Sequence, residues 1–338
     1  MRKILTLISV FLIAVLCACG SPVQTESSGQ PSLSARPEAA AEGKYKGKYI
    51  CISCMSSYEY FTDHRIGFIK ACQELGVEYE YLAPMENDID SMKKYFEYAI
   101  EEKADGIVVF GASDELKGMI DKAWDAGIPS VTIDGDINDS KRIAFVGTGN
   151  ENAGEKGAQI AIRELGTKGK VAILTELDME LHKERTAGAM RVFDAYPEIE
   201  VVARVETGAS TDTAYRAALE LLRKHPETEL ILCTDYFGGA AAAAAVEELE
   251  RVGEIKIISM DRNSYVLKKI EEGVITATLM QQTALMPYYA MMILYNYNNT
   301  TITIVPDKDS AGVTGVPSYI DTGVFVIDRD NYEFFTRN

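Results

Sequence analysis

The side chains of this chain that could do chemistry are few, and carboxylates lead them. Three strand-like stretches run into an acid: Gly127-Ile-Pro-Ser-Val-Thr-Ile-Asp134, Leu230-Ile-Leu-Cys-Thr-Asp235 and Ile255-Lys-Ile-Ile-Ser-Met-Asp261. In open α/β sheets, ligands bind outside the carboxyl ends of the strands. A carboxylate there accepts hydrogen bonds from two neighbouring hydroxyls of one ligand, or it caps the segment that follows. Paired acids can also serve as acid and base, but other enzyme signatures are missing. There is no G-x-S-x-G, no H-E-x-x-H and no Walker loop, and the only histidines are His64, His182 and His225. Gly147-Thr-Gly-Asn-Glu-Asn152 begins like a dinucleotide fingerprint but lacks its third glycine. Cys51-Ile-Ser-Cys54 has the C-x-x-C spelling, yet it lies along a strand and no second pair or His pair follows. These residues predict a binder that is not an enzyme, with no cofactor and no metal. Cys51, Cys54, Cys72 and Cys233 read as small buried hydrophobes, with a disulfide among them left open in an oxidising compartment.

Regular elements must hold the acids in place. Gly127 can close a helix in the left-handed conformation, Pro129 stops it, and Val131, Thr132 and Ile133 suit a strand covered on both faces. The same rhythm runs along the chain. Strands are expected at Tyr49–Ser53, Val77–Leu82, Gly106–Phe110, Ile143–Gly147, Lys170–Leu174, Ile199–Val205, Leu230–Cys233, Ile255–Ile258 and Val274–Met280, with one closing strand at Tyr319–Ile327. Helical patterns separate most of them; Met92, Tyr95, Phe96, Ala99 and Ile100 form one apolar stripe. Trp124, the only tryptophan, reads as core. Alternation of this kind implies doubly wound parallel sheets, and about ten steps are too many for one small sheet. Two similar lobes dividing near Gly147–Asn150 fit better, with a cleft between them.

Length and composition agree. The 338 residues suffice for about two domains, and 47% hydrophobic with 25% charged residues is ordinary for a globular protein. The formal charge of −17 excludes nucleic acid as a natural partner. Arg2 and Lys3 precede an apolar run, Ile4 to Ala18, too short for a standing membrane helix and suited to a secretory signal. It ends Leu16-Cys-Ala-Cys19, which looks like a bacterial lipobox, with cleavage before Cys19 and lipid on its sulfur. Residues 1–18 are therefore expected to be removed. Residues 19–43, rich in Ser, Pro, Ala, Gly and Glu, read as a flexible lipidated tether holding the rest at the membrane.

A family resemblance rests on the order of several motifs: Tyr58-Glu-Tyr-Phe61, Ala104-Asp-Gly-Ile-Val, the stretch ending at Asp134, Asn150-x-x-Ala-Gly154, Glu184-Arg-Thr-x-Gly188, Thr234-Asp235, Ile258-Ser-Met-Asp261, Ala277-Thr-x-x-Gln281 and Ile320-Asp-Thr-Gly-Val. Over about residues 48 to 338 the chain resembles the type I periplasmic sugar-binding proteins of ABC transporters, the ribose- and galactose-binding group. The resemblance implies a monomer of two lobes joined by three crossovers and closing on one sugar. The N-terminal lobe would be 44–148 and 282–320, the C-terminal lobe 149–281 and 321–338, with hinges near Gly147–Asn150, Gln281–Thr283 and Ile320–Thr322. It carries ligand contacts over to Tyr58, Tyr60, Phe61, Asp134, Asn150, Arg185, Thr234, Asp235, Asp261 and Gln281. Aromatic rings would stack on the apolar face of a sugar and the charged groups would bond its hydroxyls. The chain departs from the ribose pattern at Thr234, Phe110 and Gly135, and lacks an aromatic near Ala209–Thr211 where a second ring is expected. These departures point away from ribose and towards another monosaccharide, a polyol or a different small polar molecule. The partner would be an ABC permease or, alternatively, a sensor kinase or chemoreceptor. Asn298 to Ser318 reads as a loop insertion.

Overall fold

A computed structural model of the chain describes residues 47–208, 210–299 and 308–336. The signal sequence, Cys19 and the tether lie outside the described residues, as does part of the 298–318 insertion. The first half runs β1 (Lys48–Ile52), α1 (Tyr60–Leu75), β2 (Glu78–Leu82), α2 (Ile89–Glu101), β3 (Gly106–Phe110), a 3-10 turn, α3 (Lys117–Asp125), β4 (Ser130–Ile133) and β5 (Ala144–Gly147). The second runs α4 (Asn150–Leu165), β6 (Lys168–Thr175), α5 (Glu180–Phe193), β7 (Glu198–Glu206), α6 (Thr211–Lys224), β8 (Leu230–Cys233), α7 (Gly238–Glu248), β9 (Lys256–Met260), α8 (Ser264–Glu271) and β10 (Ala277–Gln281). Then come α9 (Leu285–Asn299), a short α10 (Lys308–Ala311), β11 (Tyr319–Asp321), β12 (Val324–Asp328) and a final 3-10 turn.

Two six-stranded sheets result, ordered β11-β5-β4-β3-β1-β2 and β12-β10-β9-β8-β6-β7. All pairings are parallel except β10 with β12. The inner strands are mostly apolar and largely buried, β4 and β8 at every position, because helices cover both faces. On the first sheet, Val108, Val131 and Met291 pack on one side and Ile107, Val109 and Phe96 on the other. On the second, Ile231, Ile257 and Ala242 face one way and Ile173, Ile258 and Phe193 the other. The chain passes between the sheets three times: from β5 to β6, from β10 through α9 to β11, and from β11 to β12.

Local signals act as expected at the helix ends. Gly127 sits at φ 81° just beyond α3, and its N–H meets the Trp124 carbonyl at 2.8 Å. Asp88 caps α2 by accepting from Ser91 N–H at 3.1 Å. Two elements differ from expectation. The Gly147–Asn152 stretch opens the helix α4, whose buried face is Ala153, Gly154, Gly157, Ala158, Ile160 and Ala161. That small-residue face shows little apolar signal because it lies almost against α5; a Cβ on Gly154 would stand 1.8 Å from the Arg185 carbonyl oxygen. The single closing strand at Tyr319–Ile327 is two strands, one on each sheet, with Thr322 and Gly323 between them. Cys51, Cys54, Cys72 and Cys233 are free and buried.

Candidate functional site

The two sheets repeat one geometry at strand ends. Asp134 follows β4 and Asp261 follows β9, with φ of 65° and 64°. Each donates its N–H to the next strand, Asp134 to Val146 at 3.0 Å and Asp261 to Leu279 at 2.7 Å. Left-handed backbone is tolerated by Asp better than by most residues, and strain of this kind clusters at functional sites. The Tyr60 hydroxyl donates to Asp134 Oδ2 at 2.7 Å from the first turn of α1. His64, one turn further on, holds Nε2 3.7 Å from the same oxygen. Burial pushes the Asp134 carboxyl up to about 6, against the pull of the Tyr60 bond and the Arg185 charge. Burial also raises Asp261 to about 6, opposed by Arg185 and Gln281 and reinforced by the charges of Asp134 and Asp235. Burial lowers His64 to about 3, so it is neutral.

Arg185 stands on α5 and is 4% exposed. Its Nε donates to Asn150 Oδ1 at 2.9 Å, one terminal nitrogen to the Thr234 carbonyl at 2.7 Å, and the other to Gln281 Oε1 at 3.1 Å. Gln281 accepts also from Thr148 Oγ1 at 2.8 Å and donates to Asp261 Oδ1 at 2.8 Å. This network ties the ends of β8 and β10 to the start of α4. It continues into the crossovers. The Gly147 carbonyl accepts from Thr322 N–H at 2.8 Å. The Asp321 carboxylate accepts from the N–H groups of Gly149 and Gly323, both at 2.7 Å.

A cavity of about 220 Å³ lies where these groups converge. Tyr58, Tyr60, Phe61 and Phe110 line it from one side, Tyr236 and Phe237 from the other. Asp134, Asp261, Glu176, His182, Arg185 and Gln281 supply its polar atoms. The volume suits a ligand smaller than a typical drug. Across its mouth Tyr58 stacks on Tyr236, with centroids 6.1 Å apart and planes 12° apart. Arg262 pairs with Asp63 at 2.7 Å, and Ser264 Oγ donates to Glu59 at 3.3 Å. A larger groove of about 740 Å³ lies beyond Tyr236 and Phe237. It holds neither Asp134, Asp261 nor Arg185, so the smaller cavity is the candidate site.

Seven of the ten expected contacts line the cavity: Tyr58, Tyr60, Phe61, Asp134, Arg185, Asp261 and Gln281. Asn150, Thr234 and Asp235 stand behind it. Asn150 and the Thr234 carbonyl hold Arg185, while the Thr234 hydroxyl donates to Thr175 Oγ1 at 2.6 Å. Asp235 departs from its expected role: Oδ1 accepts from the N–H groups of Phe237 and Gly238 at 2.8 Å, and Oδ2 from Thr207 at 2.9 Å. It caps the start of α7, which was the other option for an acid at a strand end. The second aromatic wall, missing near residue 210, comes instead from Tyr236 and Phe237 directly after Asp235. Glu176 and His182 were also not anticipated; neither stands in a motif, and only the approach of β6 and α5 brings them to the cavity.

Residues 49–300 match the model of a family described as the periplasmic binding protein domain. Among curated proteins, the D-allose-binding periplasmic protein of Escherichia coli K12 is 28% identical over 75% of this chain and 83% of its own length. Among solved structures, a sugar ABC transporter sugar-binding protein from Bacillus halodurans superposes with a TM-score of 0.81 at 32% identity, covering 86% of this chain and all of that one. XylFII, solved in complex with LytSN, superposes at 0.68 and 29% identity over 85% of this chain and 99% of its own.

Proposed function

From the premise that this chain belongs to the periplasmic binding protein family, we propose that it captures a monosaccharide or small polyol between two lobes and delivers it to an ABC importer. It is a binding protein, not an enzyme, and works outside the cytoplasm. The observation that carries the reading is the cavity itself. Two equivalently placed aspartates and a buried arginine meet six aromatic residues there, the polar-and-apolar combination that a sugar's hydroxyls and C–H faces require. The matching relatives, named for allose and for sugar in general, support the same ligand class. Lobe one comprises 44–148 and 282–320, lobe two 149–281 and 321–338. The crossovers knitted by Gly147, Asp321 and Thr322 serve as the hinge, and ligand shifts the population towards the closed form.

Thermal unfolding of the soluble chain from Gly43 against pentoses, hexoses, polyols and nucleosides tests the reading. A ligand at about a hundred times its dissociation constant adds roughly 2.7 kcal/mol. Shifts with nucleosides alone, or with nothing, refute the carbohydrate assignment. Among the described residues no helix is long and apolar enough to cross a membrane. The membrane attachment proposed is lipid on Cys19, so Cys19→Ser should release the protein from the membrane fraction. A second reading, a ligand-sensing partner of a membrane receptor, is favoured by XylFII, a chain of this fold held by another protein. Ligand uptake lost on deleting this chain's gene supports the importer; uptake unchanged with a lost transcriptional response supports the receptor.

A further inference from the structure

The charges facing the cavity do not balance. Asp134, Glu176 and Asp261 line it against one cation, Arg185. Three N–H groups of Arg185 are committed to Asn150, Thr234 and Gln281. The histidine in the wall does not help. His182 is held down to about 3 by burial and the neighbouring Arg185 charge, with Nδ1 3.0 Å from the Thr234 carbonyl oxygen.

The carboxylates retain open acceptor positions. Asp134 Oδ2 is taken by Tyr60 and Asp261 Oδ1 by Gln281. Among the described residues, no protein donor bonds the other oxygen of either acid. Glu176 lines the cavity beside the neutral His182, whose Nε2 stands 4.0 Å from Oε1, too far for a hydrogen bond. Burial and the charges of Asp235 and Glu206 raise the Glu176 carboxyl. Closing on a neutral sugar would bury net negative charge behind aromatic walls, which is costly unless protons are taken up. A ligand cation removes that cost. An ammonium offers three N–H donors and no acceptor, which suits oxygens that lack donors. The rings of Tyr58, Tyr60, Phe61, Phe110, Tyr236 and Phe237 add attraction for a cation over their faces.

We propose that the ligand is a carbohydrate bearing a protonated amine, an amino sugar or amino polyol, whose nitrogen is held among Asp134, Glu176 and Asp261. The proposal rests on the carbohydrate-binding reading and narrows its ligand class. N-acetylation would abolish recognition by removing the charge and adding bulk.

Calorimetric titration at pH 7 of the folded chain tests it, with glucose, glucosamine and N-acetylglucosamine, and the galactose and mannose triads alongside. An amine of this kind, with a pKa of about 8, is mostly protonated there. In at least one triad the amine should bind about tenfold tighter than the parent, as expected for exchanging neutral for charge-assisted hydrogen bonds. Glu176→Gln should shrink that ratio. A parent sugar that binds as tightly as its amine, or a neutral sugar bound while no amine is, overturns the amine assignment and leaves sugar binding standing. Binding of none of the nine overturns the amino-sugar assignment, while the wider panel of pentoses, hexoses and polyols decides the carbohydrate reading separately.

Discussion

Replacing Asp134 with asparagine should stabilise the empty protein and cripple the site. The substitution keeps the shape of the side chain, and asparagine tolerates the φ of 65° found there. What it removes is a charge with only 11% of its side chain exposed. The folded carboxyl ionises near 6 instead of 3.8, so between those values the folded state binds protons that the unfolded state has lost. Stability from this group is therefore full below pH 3.8 and declines as pH rises through 6. That gap corresponds to at most about 3 kcal/mol. The asparagine side chain carries no such penalty, so the variant should be more stable than the parent by roughly 1–3 kcal/mol at pH 7, and by about nothing at pH 4. Urea unfolding of both proteins from pH 4 to 7.5 reads the difference directly. Ligand affinity should fall about 10- to 100-fold, because a charge-assisted bond to hydroxyl or amine becomes a neutral one. A variant less stable than the parent at pH 7, or a difference that does not change with pH, would refute the account of Asp134 as a desolvated charge kept for binding.

Arg185→Met removes the one cation that lines the cavity among the described residues and leaves Asp134 and Asp261 without it; unfolding should become easier by about 3–5 kcal/mol, and a loss under about 1 would show that the network is not what holds this region. Gly154→Ala places a Cβ 1.8 Å from the Arg185 carbonyl, so α5 must shift; about 1–3 kcal/mol of stability and most ligand affinity should go together in melting and titration experiments. Asp63→Asn weakens the pair with Arg262 that bridges the mouth; stopped-flow release should quicken about fivefold with the association rate little changed, as a pair worth about 1 kcal/mol implies.

The acids at 134, 235 and 261 look alike in sequence: each follows a largely apolar, partly β-branched run at the carboxyl end of an inner strand. Continuous apolar runs made the strands legible, and Gly127 with Pro129 made the entry to β4 legible, because those signals are local. The chain order of motifs pointed to the family and to seven of the fifteen residues that line the cavity. Three things depended on distant neighbours. The backbone of Asp134 and Asp261 turns left-handed as their N–H groups close onto Val146 and Leu279, leaving carboxylates in the cavity, whereas Asp235 meets the N–H groups of α7 and is consumed as a cap. The helix α4 hides its pattern in Ala and Gly, since its close contact with α5 leaves no room for larger side chains. Glu176, His182, Tyr236 and Phe237 share a cavity with Tyr60 and Asp134 only because two sheets far apart in sequence close on each other. Local residue types set where strands end and which groups are available. Which oxygens remain without a donor, and which rings face them, was decided by packing between segments that no sequence window contains.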